Sequence, residues 1–78
     1  MELDHDSPEP LYVQLAALLR NRIESGKLTG RVPSVKALSE EYGISHITAE
    51  KAVDVLKREG LVTTTIGKGT YVADRRRS

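Results

Sequence analysis

Residues 34–60 read SVKALSEEYGISHITAEKAVDVLKREG, and the spacing of their apolar side chains decides the fold. Val35, Leu38 and Tyr42 stand at i, i+3 and i+7, one face of a short helix that Ser34 opens. Gly43 falls where such a helix ends in the left-handed conformation. Only Gly43 and Ile44 separate this helix from Ser45, a good cap for the next one. There Ala49, Ala52, Val53 and Leu56 repeat the i, i+3, i+4, i+7 spacing before Gly60 ends it. Two short helices, about 35–42 and about 46–59, joined by a tight glycine-containing turn make a helix-turn-helix.

Upstream, Leu11, Leu15, Leu18, Leu19 and Ile23 form one stripe, predicting a first helix that runs to about Ser25, with Gly26 as the stop. Ser7-Pro8-Glu9-Pro10 reads as its start, the hydroxyl as cap and the prolines in the first turn, where a missing amide proton costs nothing. Arg20, Asn21, Arg22 and Glu24 are assigned to its wet side, and Tyr12 to core packing ahead of base stacking. Arg31-Val32-Pro33 is too short for more than a sheet-edge strand, because Pro33 cannot donate to a central ladder. Downstream the period changes from 3.6 to 2. Residues 61–66 are rich in β-branched side chains, Gly67-Lys68-Gly69 is a turn, and Thr70-Tyr71-Val72 returns. The fold class expected is mostly α with a small β part, a winged helix-turn-helix of three helices and a two- to three-stranded wing.

Seventy-eight residues allow one small domain and no second core. Its limits are drawn as an acidic flexible segment at 1–9, the folded domain at 10–73 and a basic tail at 74–78 carrying Arg75, Arg76 and Arg77. Net charge is +1, but Glu2, Asp4, Asp6 and Glu9 lie in the first segment, so residues 10–78 carry 12 basic and seven acidic side chains, a net of +5. That excess suits a polyanion without identifying one. The chain has no cysteine, which excludes disulfides and thiolate chemistry and makes a reducing compartment the default. The longest apolar run is residues 15–19, far short of a membrane span, and the start lacks a secretory pattern, so a cytoplasmic, nucleoid-associated protein with no membrane partner is expected.

Enzyme chemistry finds no footing. Lys68 is followed by Gly69, and the position five before Gly67 is Val62, so the phosphate-cradling GxxxxGK pattern fails on spacing. His5 and His46 stand far apart with no carboxylate set at ligand spacing, and Ser34, Ser39 and Ser45 lack a histidine base and an orienting acid. No catalytic residue, metal or cofactor is assigned.

Pro10-Leu11-Tyr12 with Gln14-Leu15, Ile23 with Ser25-Gly26, Pro33-Ser34, Leu38, Tyr42-Gly43-Ile44-Ser45, Thr48, Ala52, Leu56, Glu59-Gly60-Leu61-Val62 and Gly67-Lys68-Gly69-Thr70-Tyr71-Val72 stand in one order and spacing. Over about residues 10–73 the chain resembles the GntR-family DNA-binding domain. The resemblance implies a helix 46–59 in the DNA major groove, a 67–69 wing over the adjacent minor groove or backbone, and regulation of nearby genes, repression ahead of activation. It implies double-stranded DNA as partner, as an inverted repeat bound by a homodimer. A small-molecule effector is implied only through a further C-terminal domain.

The residues reach the same surface by themselves. With Ala49, Ala52, Val53 and Leu56 turned inward, His46, Ile47, Glu50 and Lys51 face outward at the front of the third helix, with Thr48 at the margin. A major groove about 12 Å wide admits a helix, and its positive amino end favours a phosphate, for which the Ser45 hydroxyl and first-turn amides are donors. Ile47 suits a thymine methyl. Two departures from the family pattern fall on this face, His46 and Glu50 standing where arginine is usual. Glu50 reads equally as an acceptor for a cytosine amine or as a partner for Lys51, and Asp54 as a partner for Lys57 or Arg58. Ser34 and Lys36 open the second helix where the family usually has Pro-Ser-Glu-Arg, which makes Lys36 a phosphate contact. Gly67, Lys68, Gly69 and Thr70 are assigned to the wing's contact with the sugar-phosphate strand. The competing class is a winged helix that docks protein. It calls for an exposed apolar patch, where the hairpin offers Thr63, Thr64, Thr65 and Lys68.

Overall fold

Three helices precede one hairpin: α1 (Leu11–Glu24), α2 (Val35–Tyr42), α3 (His46–Arg58), β1 (Val62–Thr65) and β2 (Gly69–Val72). The computed structural model describes residues 3–73, so the basic tail at 74–78 lies outside the described residues. The order, and every helix boundary to within a residue or so, agree with the periodicity.

The core is one cluster assembled from all of these elements. Leu15, Leu19, Leu38, Val32, Leu56 and Val62 are the largest side chains fully enclosed, joined by Ala49, Ala52, Val53 and Leu61. α3 lies at the centre, packed against α1, α2 and β1. Its two alanines are wholly buried, which lets neighbouring helix backbones come close without a cavity. Leu11, Tyr12, Ile23, Val35 and Tyr42 close the margins, so Tyr12 belongs to the core edge as expected. The Tyr42 hydroxyl is enclosed near Arg22 and Glu41 without a well-formed hydrogen bond among the described residues, and burial pushes its pKa up from 10.0, while Arg22 pulls the other way.

The third strand is reduced to a single bridge. Arg31 pairs with Tyr71, flanked by Val32 N–H to the Thr70 carbonyl at 2.8 Å and Val72 N–H to the Gly30 carbonyl at 2.7 Å. Pro33 stops it there, having no amide proton for a further rung. β1 and β2 run antiparallel, with Val62 opposite Val72, Thr63 opposite Tyr71, Thr64 opposite Thr70 and Thr65 opposite Gly69.

Two local expectations are corrected. Ser7 does not cap α1: its hydroxyl accepts from the Glu9 amide, and Pro10 occupies the capping position with no side-chain bond, its carbonyl accepting from Val13 and Gln14. The prolines precede the helix because Pro10, at ψ 144°, is still extended. Gln14 supplies an anchor instead. Its amide accepts from Asp4 N–H at 2.7 Å and donates to the carbonyls of Asp4 and Glu9, both at 2.9 Å, folding the acidic segment back on α1. Arg20, assigned to the wet side, makes a two-pronged pair with Glu59 at 2.8 and 2.7 Å. That bond raises the guanidinium pKa further and ties α1 to the carboxyl end of α3.

Candidate nucleic-acid interface

The front of α3 is built by its cap. Ser45 is extended, at φ −71° and ψ 158°, and its oxygen accepts from the Thr48 amide at 3.1 Å. Its hydroxyl proton goes to Thr48 Oγ1 at 2.9 Å. The two bonds hold Ser45, which is exposed, and Thr48, which is half-buried, together at the front of the helix. The amides of His46 and Ile47 have no carbonyl one turn back and carry the positive end of the helix.

Beyond that cap the expected division of α3 holds. Ala49, Ala52, Val53 and Leu56 are buried, whereas His46, Ile47, Glu50 and Lys51 are exposed, Ile47 at 66%. Glu50 makes no ion pair with Lys51 among the described residues; Asp54 takes Lys57, at 3.8 Å. The Lys51 ammonium sits 5.9 Å from the centre of the Tyr12 ring, near the outer limit of a cation–π contact, which leans it toward α1. Glu50 thus presents an unneutralised carboxylate beside His46 and Ile47.

α2 offers a second capped front. The Ser34 hydroxyl accepts from the Ala37 amide at 3.1 Å, and Lys36 next to it is exposed without an ion pair among the described residues. Its angle to α3 is held by Ser39, whose hydroxyl donates to the Ile44 carbonyl at 2.6 Å while its carbonyl accepts from the Ile44 amide at 3.1 Å. Gly43 between them is left-handed, at φ +64°, as the turn requires.

The hairpin end is a third site, on a separate element. Gly67 and Gly69 have φ of +80° and +112°, closed to side chains, and Lys68 stands exposed between them. The turn is held by the Lys68 amide on the Thr65 carbonyl at 3.0 Å and by the Tyr71 hydroxyl donating to the Lys68 carbonyl at 3.2 Å. Thr70 is half-buried, its hydroxyl 3.5 Å from that of Thr64. The sequence reading weighed Thr63, Thr64, Thr65 and Lys68 as the hairpin's surface and did not count Ile66, exposed at 98%. Ile66 follows the last strand residue, Thr65, and stands in the turn.

A groove on α1 is lined by Leu3, Gln14, Leu18, Asn21, Arg22 and Lys27 and takes no residue from α3 or the hairpin. Among the described residues no three His, Cys, Asp or Glu gather to hold a metal ion, and no helix is long and apolar enough to cross a membrane.

The stretch that holds capped α3, the second capped helix and the glycine hairpin lies within residues 11–72, which match the family profile "Bacterial regulatory proteins, gntR family". The chain belongs to the gntR family. Among gntR-like relatives, the HTH-type transcriptional repressor NagR of Bacillus subtilis is 35% identical over 75 residues, 94% of this chain and 31% of NagR. The HTH-type transcriptional regulator GgaR of Escherichia coli K12 is 40% identical over 65 residues, 81% of this chain and 26% of GgaR. The chain therefore spans about a third or less of the curated gntR relatives it matches. Of solved structures, YtrA from Sulfolobus acidocaldarius, a GntR-family transcription factor, superposes with a TM-score of 0.87 at 26% identity, covering 95% of this chain and 80% of that one. AraR(DBD), solved in complex with operator ORX1, superposes with a TM-score of 0.80 at 29% identity, covering 94% of this chain and 99% of that one. The winged helix expected from the sequence is thus the architecture found, three helices and a two-stranded antiparallel sheet.

Proposed function

We propose that this gntR-family domain binds double-stranded DNA sequence-specifically to regulate transcription, with the amino end of α3 in the major groove and residues 67–69 on the adjacent minor groove or backbone. The observation that carries this reading is the division of α3: four residues lock one face into the core while His46, Ile47 and Glu50 project from a capped, positively polarised end. A helix held so firmly presents its side chains in fixed positions, as base readout requires. His46, Ile47, Glu50 and Lys51 reach bases; Ser34, Lys36, Ser45 and Thr48 hold the strand; Gly67, Lys68, Gly69 and Thr70 bring the hairpin backbone and one cation to the sugar-phosphate chain. The likeness to AraR(DBD), solved with an operator, supports the same mode of docking.

The name of NagR, a repressor, supports repression as the outcome. A lone module of this kind buries only about 600–1,000 Å² on DNA, so two copies on an inverted repeat supply the missing affinity. An effector would act through chain beyond this domain, of the kind the longer relatives possess. Ile47 and Ile66 are the large apolar side chains exposed among the described residues, and they would anchor the competing protein-docking reading. Selection of bound sequences from random duplex DNA, followed by affinity at two salt concentrations, separates the two. A defined site with strongly salt-dependent affinity is expected; no enriched sequence and a salt slope near zero would leave protein docking as the better account.

A further inference from the structure

The hairpin carries a second cation that its own sequence does not contain. Arg31 sits on the bridging segment opposite Tyr71, so its side chain shares a face of the sheet with Tyr71 and, diagonally, with Gly69. Its guanidinium lies across Gly69: a Cβ built there would stand 3.3 Å from both Nε and one terminal nitrogen. Gly69 is required by its φ of +112°, and the Arg31 side chain is laid over it. Arg31 is exposed, and among the described residues no carboxylate pairs with it. An arginine set against the turn with its donors left over is arranged for an anion that arrives from outside.

We infer that Arg31 is a phosphate-binding residue of the wing, delivered to the DNA strand by Gly69 and acting beside Lys68. This rests on the reading of residues 67–69 as a DNA contact, because whatever strand meets that turn comes within reach of the guanidinium. The contact is to backbone, so it adds affinity on every sequence and chooses none. The loss of one phosphate contact lowers the salt slope by about 0.9, which amounts to about eightfold in affinity at 0.1 M salt and to nothing near 1 M.

The test is duplex binding by the 78-residue chain and its Arg31→Gln and Arg31→Lys variants, on a selected site and on an unrelated duplex, across a salt series, with melting temperatures measured in parallel. Arg31→Gln is expected to weaken binding about eightfold at 0.1 M on both duplexes, to lower the slope by about 0.9 and to leave melting unchanged, while Arg31→Lys keeps the slope. Wild-type affinity and slope in Arg31→Gln, with salt-dependent binding intact in the parent, would overturn this inference alone. So would a slope lost equally in both variants, since that marks a structural role and not a charge. A parent chain that binds no duplex would overturn the functional reading, and this one with it.

Discussion

The front of α3 and the hairpin are both candidate DNA contacts, but they are held in different ways. α3 rests on four buried side chains, a serine cap and a turn stapled by Ser39. The hairpin has two strands of four residues, an exposed run at Thr63, Thr64 and Thr65, and a core attachment through Leu61, Val62 and Val72 at its base alone. A side chain on the first is fixed by the core beneath it; one on the second depends on the strand pairing and on the bonds from Gly30 and Val32. On the proposed reading, selection among bases would fall to α3 and sequence-independent grip to the hairpin.

The sharpest way to break this contrast is to hollow out the rigid half. Leu56→Ala should cost about 2–5 kcal/mol of folding stability in a denaturant titration and take DNA binding with it. A loss under about 1 kcal/mol would mean that α3 is not the keystone claimed. Next in size, Glu50→Ala should relax choice at one base position by about 1–3 kcal/mol of discrimination in a randomised-site selection; unchanged selectivity would remove Glu50 from base readout. Ser45→Ala deletes the cap and should lower stability by about 1 kcal/mol, read as a fall in melting temperature.

Tyr42→Phe should be neutral or stabilising by up to about 1 kcal/mol, because it removes an enclosed hydroxyl that makes no well-formed bond among the described residues. The sign with pH follows from burial. A phenol whose folded pKa is raised contributes stability that is complete below its ordinary 10.0 and lost as pH climbs beyond it, so the parent should lose more stability above pH 10.0 than Tyr42→Phe does. Smallest of all, Thr64→Ala on the exposed strand should shift stability by less than about 0.5 kcal/mol. A larger cost would show the hairpin to be as firmly built as the helix.

What could be read from the sequence follows the same division. The helices of residues 34–60 were legible because each cap, stripe and terminal glycine acts over a few residues, and the outward face of α3 followed by elimination. Ser7 was misread because a serine before prolines meets the local rule for a cap, whereas the chain is fixed there by Gln14, from inside the helix. Nothing local marks the Arg20–Glu59 pair, which joins residues 39 apart, or the placing of Arg31 against Gly69. Both depend on how the elements meet.

The paired bonds of Ser39 across the turn have a geometric corollary. They make α2 and α3 the two jaws of a caliper, set at one opening by Ser39. A groove narrower or wider than that opening lets one jaw seat only by lifting the other. Sequences that resist such deformation would then be disfavoured by their stiffness, at base pairs no side chain touches.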